Sequence, residues 1–107
     1  MSLTYKQTGD NNMQLQIDGQ GIEVTDAIRN ILEKKLMKLE SHFGNVERAH
    51  IVFKVNKIRQ IADATLSLPG AIINAEAESE DMYKTIDLLV EKLNAQLSKH
   101  KDKTTRH

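Results

Sequence analysis

The residues able to do chemistry are few, and their spacing argues against it. His42, His50, His100 and His107 form no His-x3-His pair and no other metal-ligand spacing. Asp63, Glu76 and Glu78 are clustered carboxylates, but an acid/base pair needs a pocket that sets its members apart, and alternation puts all three on an open, solvated face. Ser67 and Ser79 lack a histidine partner or a strained elbow. Gly19 and Gly21 make a bare Gly-x-Gly, which is no phosphate loop. The chain has no cysteine, so disulfides, Cys-ligated zinc and thiol chemistry are excluded, which suits a reducing cytoplasm. The inventory predicts a protein that is not an enzyme, with no metal, no cofactor and no small-molecule substrate.

The cations are more informative. Net charge is zero, from 15 basic and 15 acidic residues, so total charge points to no partner. Its distribution does. Placed on helices at about 100° per residue, Lys34, Lys35 and Lys38 fall on one flank of an apolar stripe, with Arg29, Glu33 and Glu40 on the other. Further on, Lys92, Lys99 and Lys103 occupy one flank of a second stripe in the same rotational sense, with Asp87 and Glu91 opposite. A merely solvated helix face mixes signs and pairs Glu with Lys one turn apart. Here the signs separate twice. With Lys84, Lys101 and Arg106 nearby, such a surface can grip phosphates while the molecule stays neutral.

Those lysines need two helices and a sheet to hold them. Met13, Leu15 and Ile17 alternate with polar residues in a one-sided strand ended by Gly19 and Gly21. Thr25 is an N-cap, with Asp26 in the first turn. Ile28, Ile31, Leu32, Leu36, Leu39 and Phe43 follow at helical spacing, and Gly44 stops the helix. Ala49, Ile51, Phe53 and Val55 form a second strand. A weak turn at Ile58-Arg59 leads to Ala62, Ala64, Leu66 and Leu68 in a third.

Pro69-Gly70 suits a type II turn and predicts the pairs Leu68–Ala71, Leu66–Ile73, Ala64–Ala75 and Ala62–Ala77. It also sets Asp63 against Glu76, which Lys54 relieves if the earlier hairpin turns at Ile58-Arg59. Ser79 is read as the cap of a second helix, whose stripe is Met82, Ile86, Leu89, Val90, Leu93 and Leu97 and which frays after about Lys101. Tyr83 sits at the edge of that stripe, with packing there as its default role.

The fold class is therefore α+β: a two-layer β-α-β-β-β-α domain, with a four-stranded sheet and two parallel helices on one face. Residues 13–103 form this single domain. Residues 104–107 are a frayed tail. Residues 1–12 are a leader without clear period, disordered or a cloning remnant, an upstream start or an arm. No segment is long and apolar enough to span a membrane, and the N-terminus has no signal-peptide core. The open sheet face carries no aromatic stacking residues, so any RNA would be read by backbone and shape.

Met13-Gln-Leu-Gln-Ile, Val24-Thr-Asp-Ala-Ile, Lys35-Leu-Met-Lys-Leu-Glu and Ala62-Asp-Ala-Thr-Leu, with Glu80-Asp-Met-Tyr-Lys-Thr-Ile-Asp87 and the run from Lys92 to Lys103, resemble the ribosome-hibernation promoting factors. This family is also described as ribosome-associated inhibitors or sigma-54 modulation proteins, and the resemblance covers essentially everything from Met13 on. It implies a fold similar to double-stranded-RNA-binding domains and a cytoplasmic protein that binds the small ribosomal subunit in the mRNA and tRNA channel. There, in stationary phase, the protein silences translation.

By the same resemblance, rRNA contacts fall to Lys35, Lys38, Lys92, Lys99 and Lys101, with Arg29, Lys84 and Lys103 as weaker positions. The chain looks like the short form, which acts with a separate ribosome modulation factor to build inactive ribosome dimers. Two alternatives are a related member that inactivates single ribosomes without promoting dimers, and a protein-interaction regulatory module.

Overall fold

The computed structural model describes residues 2–6, 13–44 and 46–105, with side chains described for residues 13–44 and 46–100. In chain order the elements are β1 (Ser2–Lys6), β2 (Gln14–Gln20), α1 (Asp26–Phe43), β3 (Arg48–Asn56), β4 (Arg59–Leu68), β5 (Ala71–Ser79) and α2 (Met82–Thr105). The strands lie side by side in that order. β2 and β3 are parallel, as a strand-helix-strand crossover requires, and β3, β4 and β5 form an antiparallel meander. β2 to β5 with α1 and α2 are thus the expected β-α-β-β-β-α domain.

A fifth strand extends that sheet at its β2 edge. Ser2–Lys6, expected to stay out of the fold as part of a leader, pair antiparallel with β2, Ser2 opposite Asp18 and Lys6 opposite Gln14. Without β1 the outer edge of β2 would present a row of unpaired backbone groups, and Leu3-Thr-Tyr is a run with good strand propensity. Residues 7–12, also read as leader, lie outside the described residues.

Alternation places the core. Met13, Leu15 and Ile17, then Ala49, Ile51 and Phe53, then Ala62, Ala64, Leu66 and Leu68, and finally Ile73, Ala75 and Ala77 are all buried on one face. Ile28, Leu32, Leu36 and Leu39 from α1 close over them, as do Met82, Ile86, Leu89, Leu93 and Leu97 from α2. Each such Leu or Ile contributes roughly 1.5–3 kcal/mol on leaving water. Tyr83 departs from its expected packing role and stands 45% exposed, because the stripe turns past it after Met82.

The Pro69-Gly70 hairpin has the predicted register, from Leu68 opposite Ala71 to Ala62 opposite Ala77, with Gly70 at φ 76. The preceding hairpin differs. Its turn is Lys57-Ile58, with Asn56 opposite Arg59, so Asp63 lies across from Val52 and Lys54 across from Ile61. The turn is admitted by Lys57 in the left-handed region at φ 59. Lys54 still reaches Asp63 along the diagonal, Nζ to Oδ2 at 3.8 Å. β2 runs on through Gly19 to Gln20 rather than ending at the glycine.

Thr25 caps α1 by accepting from the Ile28 N–H at 3.2 Å, and Gly44 ends it at φ 78, its N–H bonded to the Glu40 carbonyl at 2.7 Å. Ser79 does not cap α2. It closes β5, and Asp81 is the cap, its carboxylate accepting from the Tyr83 N–H at 3.1 Å. Ser79 is buried because its hydroxyl belongs to a polar knot with the hydroxyl of Thr85, 2.7 Å away. Thr85 is fully buried and donates in turn to the Gln60 carbonyl at 2.9 Å, tying α2 to β4 and β5. Past Lys101, where the sequence predicts fraying, the helical backbone continues to Thr105.

Candidate nucleic-acid interface

α1 and α2 run the same way across the sheet. Lys35 meets Asp87 near the start of their contact, and His42 lies with Asn94 further along, so both chains advance together. Between them lies an open groove of about 480 Å3, lined by Lys35, Lys38, Leu39, His42, Val90, Glu91 and Asn94. Leu39 and Val90 supply apolar walls. Lys35, Lys38 and His42 line the α1 side at helical spacing, three and then four residues apart. Glu91 and Asn94 line the α2 side, and Lys35 Nζ lies 2.8 Å from Asp87 Oδ1. The groove is therefore cationic along α1 and acidic along α2.

The basic flank of α2 points the other way, out over β5. Lys92 donates to the Glu76 carbonyl at 2.6 Å, and Gln96, one turn on, donates to the Asn74 carbonyl at 2.6 Å. Lys99 follows on the same side and is exposed. Lys84 is exposed too, but lies among Arg59, Glu78, Glu80 and Asp81 at the head of α2. Arg29 is held by Asp26 at the start of α1, on the flank away from the groove. Lys101 and Lys103 lie in the last turns of α2, and their side chains are outside the described residues.

The structure thus gathers Lys35 and Lys38 in one place and Lys92 and Lys99 in another, with Lys84 and Arg29 apart from both. Sequence reasoning missed His42 as a groove residue, although its offset of seven from Lys35 carried the signal. It also missed that Asp87 would meet Lys35.

The open sheet face is largely polar, with Ile72 exposed on it, and several of its charged groups are paired. His50 Nε2 lies 2.5 Å from Asp18 Oδ2, which also accepts from Gln16 at 3.2 Å, and Arg59 Nε lies 3.0 Å from Glu78 Oε2. Among the described residues no cluster of three or more His, Asp or Glu is disposed to hold a metal ion, and no helix is long and apolar enough to cross a membrane.

A family model described as sigma 54 modulation protein / S30EA ribosomal protein matches residues 15–105. The chain belongs to this family. Among its members, the ribosome hibernation promoting factor of Klebsiella oxytoca is 48% identical over 95 residues, 89% of this chain and all of the relative. The factor of the same name from Escherichia coli K12 is 45% identical over the same length and shares. A solved ribosomal subunit interface protein from Coxiella burnetii superposes with a TM-score of 0.79 at 48% identity, covering 82% of this chain and 97% of that one. The N-terminal domain of Protein Y from Thermus thermophilus superposes at 0.72 with 33% identity, covering 78% and 93%. The family match spans both helices and hence both lysine groups.

Proposed function

We infer that this protein is a non-catalytic silencer of translation that binds the small ribosomal subunit in the channel of mRNA and tRNA. It acts in stationary phase and contacts rRNA phosphates through its helix lysines. It promotes inactive ribosome dimers together with a ribosome modulation factor. The observation that carries this reading is the basic side of the groove, Lys35 and Lys38, in a chain whose relatives are ribosome hibernation promoting factors. Lysines on rigid helices present point charges to phosphates at fixed spacing, which suits recognition of RNA shape rather than bases.

Co-sedimentation with ribosomes at low and high salt tests it. The wild-type chain is expected to migrate with the small subunit at low salt and to leave it at high salt. The combined variant Lys35→Glu, Lys38→Glu, Lys92→Glu and Lys99→Glu is expected to fold and not to bind. Retained binding of that variant at moderate salt rejects the lysine surface. Gradient profiles with the modulation factor present separate dimer promotion from inactivation of single ribosomes.

A second reading, a protein-interaction module, is favoured by the ordered charge array of the open face, where Lys54 meets Asp63 and Arg59 meets Glu78. Changing Lys54, Asp63 and Glu76 would then abolish regulation and spare ribosome binding.

A further inference from the structure

β5 ends the sheet on the side away from β1, and its free edge is unusually regular. It runs nine residues, contains no proline, and pairs with β4 without a break in register. Short length, proline and bulges are among the ordinary means of keeping an edge strand from pairing with another chain, and β5 uses none of these three, carrying only the charges of Glu76 and Glu78.

The hairpin geometry says which backbone groups face outward. Leu68 and Ala71 flank a two-residue turn and exchange hydrogen bonds, so bonded and non-bonded pairs alternate from there. Asn74 and Glu76 fall in the non-bonded class, and their N–H and C=O groups point away from β4. The carbonyls of these two residues are the ones that Lys92 and Gln96 cover. A helix advances about 6 Å in four residues and a strand about 6.8 Å in two, so donors one turn apart on α2 match alternate carbonyls on β5.

We propose that Lys92 and Gln96 guard the β5 edge, and that the occupant they keep off is a second copy of this chain. Two β5 strands pairing about a two-fold axis would meet as identical antiparallel edges, giving a closed isologous contact. Both copies of α2 would then lie on the same face of the joined sheet, with their outward flanks opposed. Lys92 and Lys99 of one copy would face the same residues of the other. The flank therefore occupies the carbonyls and repels a partner, but only one with a flank like itself. Such guarding is a property of the free protein and does not depend on ribosome binding.

The test is sedimentation velocity of the full chain over a range of concentration and salt. The wild-type chain is expected to remain monomeric. Lys92→Ala with Gln96→Ala is expected to self-associate about tenfold more strongly or better. Adding Asn74→Pro should return that variant to monomer, because the proline removes an N–H that β4 does not use. A dimeric wild-type chain, a double variant no more associated than wild type, or a dimer indifferent to Asn74→Pro overturns the proposal.

Should Asn74→Pro fail to fold by circular dichroism, a spin label on Asn74→Cys in the double variant reads the same contact. The native chain has no cysteine to confuse the label. A short inter-copy distance supports edge pairing and a long one rejects it.

Discussion

Lys35 of α1 and Asp87 of α2 meet at 2.8 Å across the rim of the groove, so a groove lysine proposed to bind phosphate is already held by a carboxylate. Both side chains are more than a third exposed, at 38% and 59%, and such a pair is worth only about 0.2–1 kcal/mol. RNA must displace Asp87 to take Lys35. Asp87→Asn is expected to tighten ribosome binding roughly two- to fivefold at low salt and to leave the thermal midpoint almost unchanged. Equilibrium binding to small subunits measures it, and weaker or unchanged binding would remove Lys35 from the contact surface.

Salt should separate the lysines individually. Removing one cation from a phosphate lowers the slope of log K against log salt by roughly 0.7–0.9. Lys38→Ala, in the groove, is expected to reduce the slope by roughly that amount. Arg29→Ala is expected to leave it unchanged, since Arg29 lies on the other flank beside Asp26. Equal slopes for the two variants would mean that the groove is not the phosphate-binding surface.

Thr85 offers a test of stability apart from binding. Its hydroxyl is fully buried between Ser79 and the Gln60 carbonyl. Thr85→Val keeps the volume but removes the bond to the Gln60 carbonyl, while Ser79 keeps its bonds to the Asp81 backbone, and is expected to destabilise by about 0.5–1.5 kcal/mol. Urea unfolding measures this, and a change well below that range would mean that water replaces the hydroxyl.

Gly19 marks a close approach of two backbone segments. A Cβ there would collide with the Ile22 carbonyl oxygen and crowd Val24. Gly19→Ala is expected to cost about 1–3 kcal/mol in the same unfolding experiment, because the obstacle is backbone and cannot rotate aside. An unchanged midpoint would show that the turn after β2 adjusts freely.

The Pro69-Gly70 hairpin was legible to the residue because its two-residue turn carries a glycine where φ must be positive. The Lys57-Ile58 turn was not, since a lysine in the left-handed region leaves no mark in sequence. A two-residue slip there keeps every apolar side chain on its own face, so alternation could not detect the error.

Helix caps have the same ambiguity. Ser79 and Asp81 are both capping residues, and the knot with Thr85 decides between them. On the helices, periodicity located the stripes and the lysine flanks. What it could not give was the rotation of one helix against the other, which alone brings Lys35 to Asp87.

The parallel pairing of β2 with β3 bears on the order of assembly. Gln14 must find Arg48, thirty-four positions later, whereas the β3-β4-β5 meander closes through two-residue turns. Local contacts form at smaller entropic expense, so the meander with α2 docked on it is the natural nucleus, and β2 joins last through α1. In pulse-labelled hydrogen exchange during refolding, the amides of β4 should gain protection ahead of those of β2. The late-arriving strand would then be the first to detach under mild destabilisation, opening one side of the core while the meander stays closed.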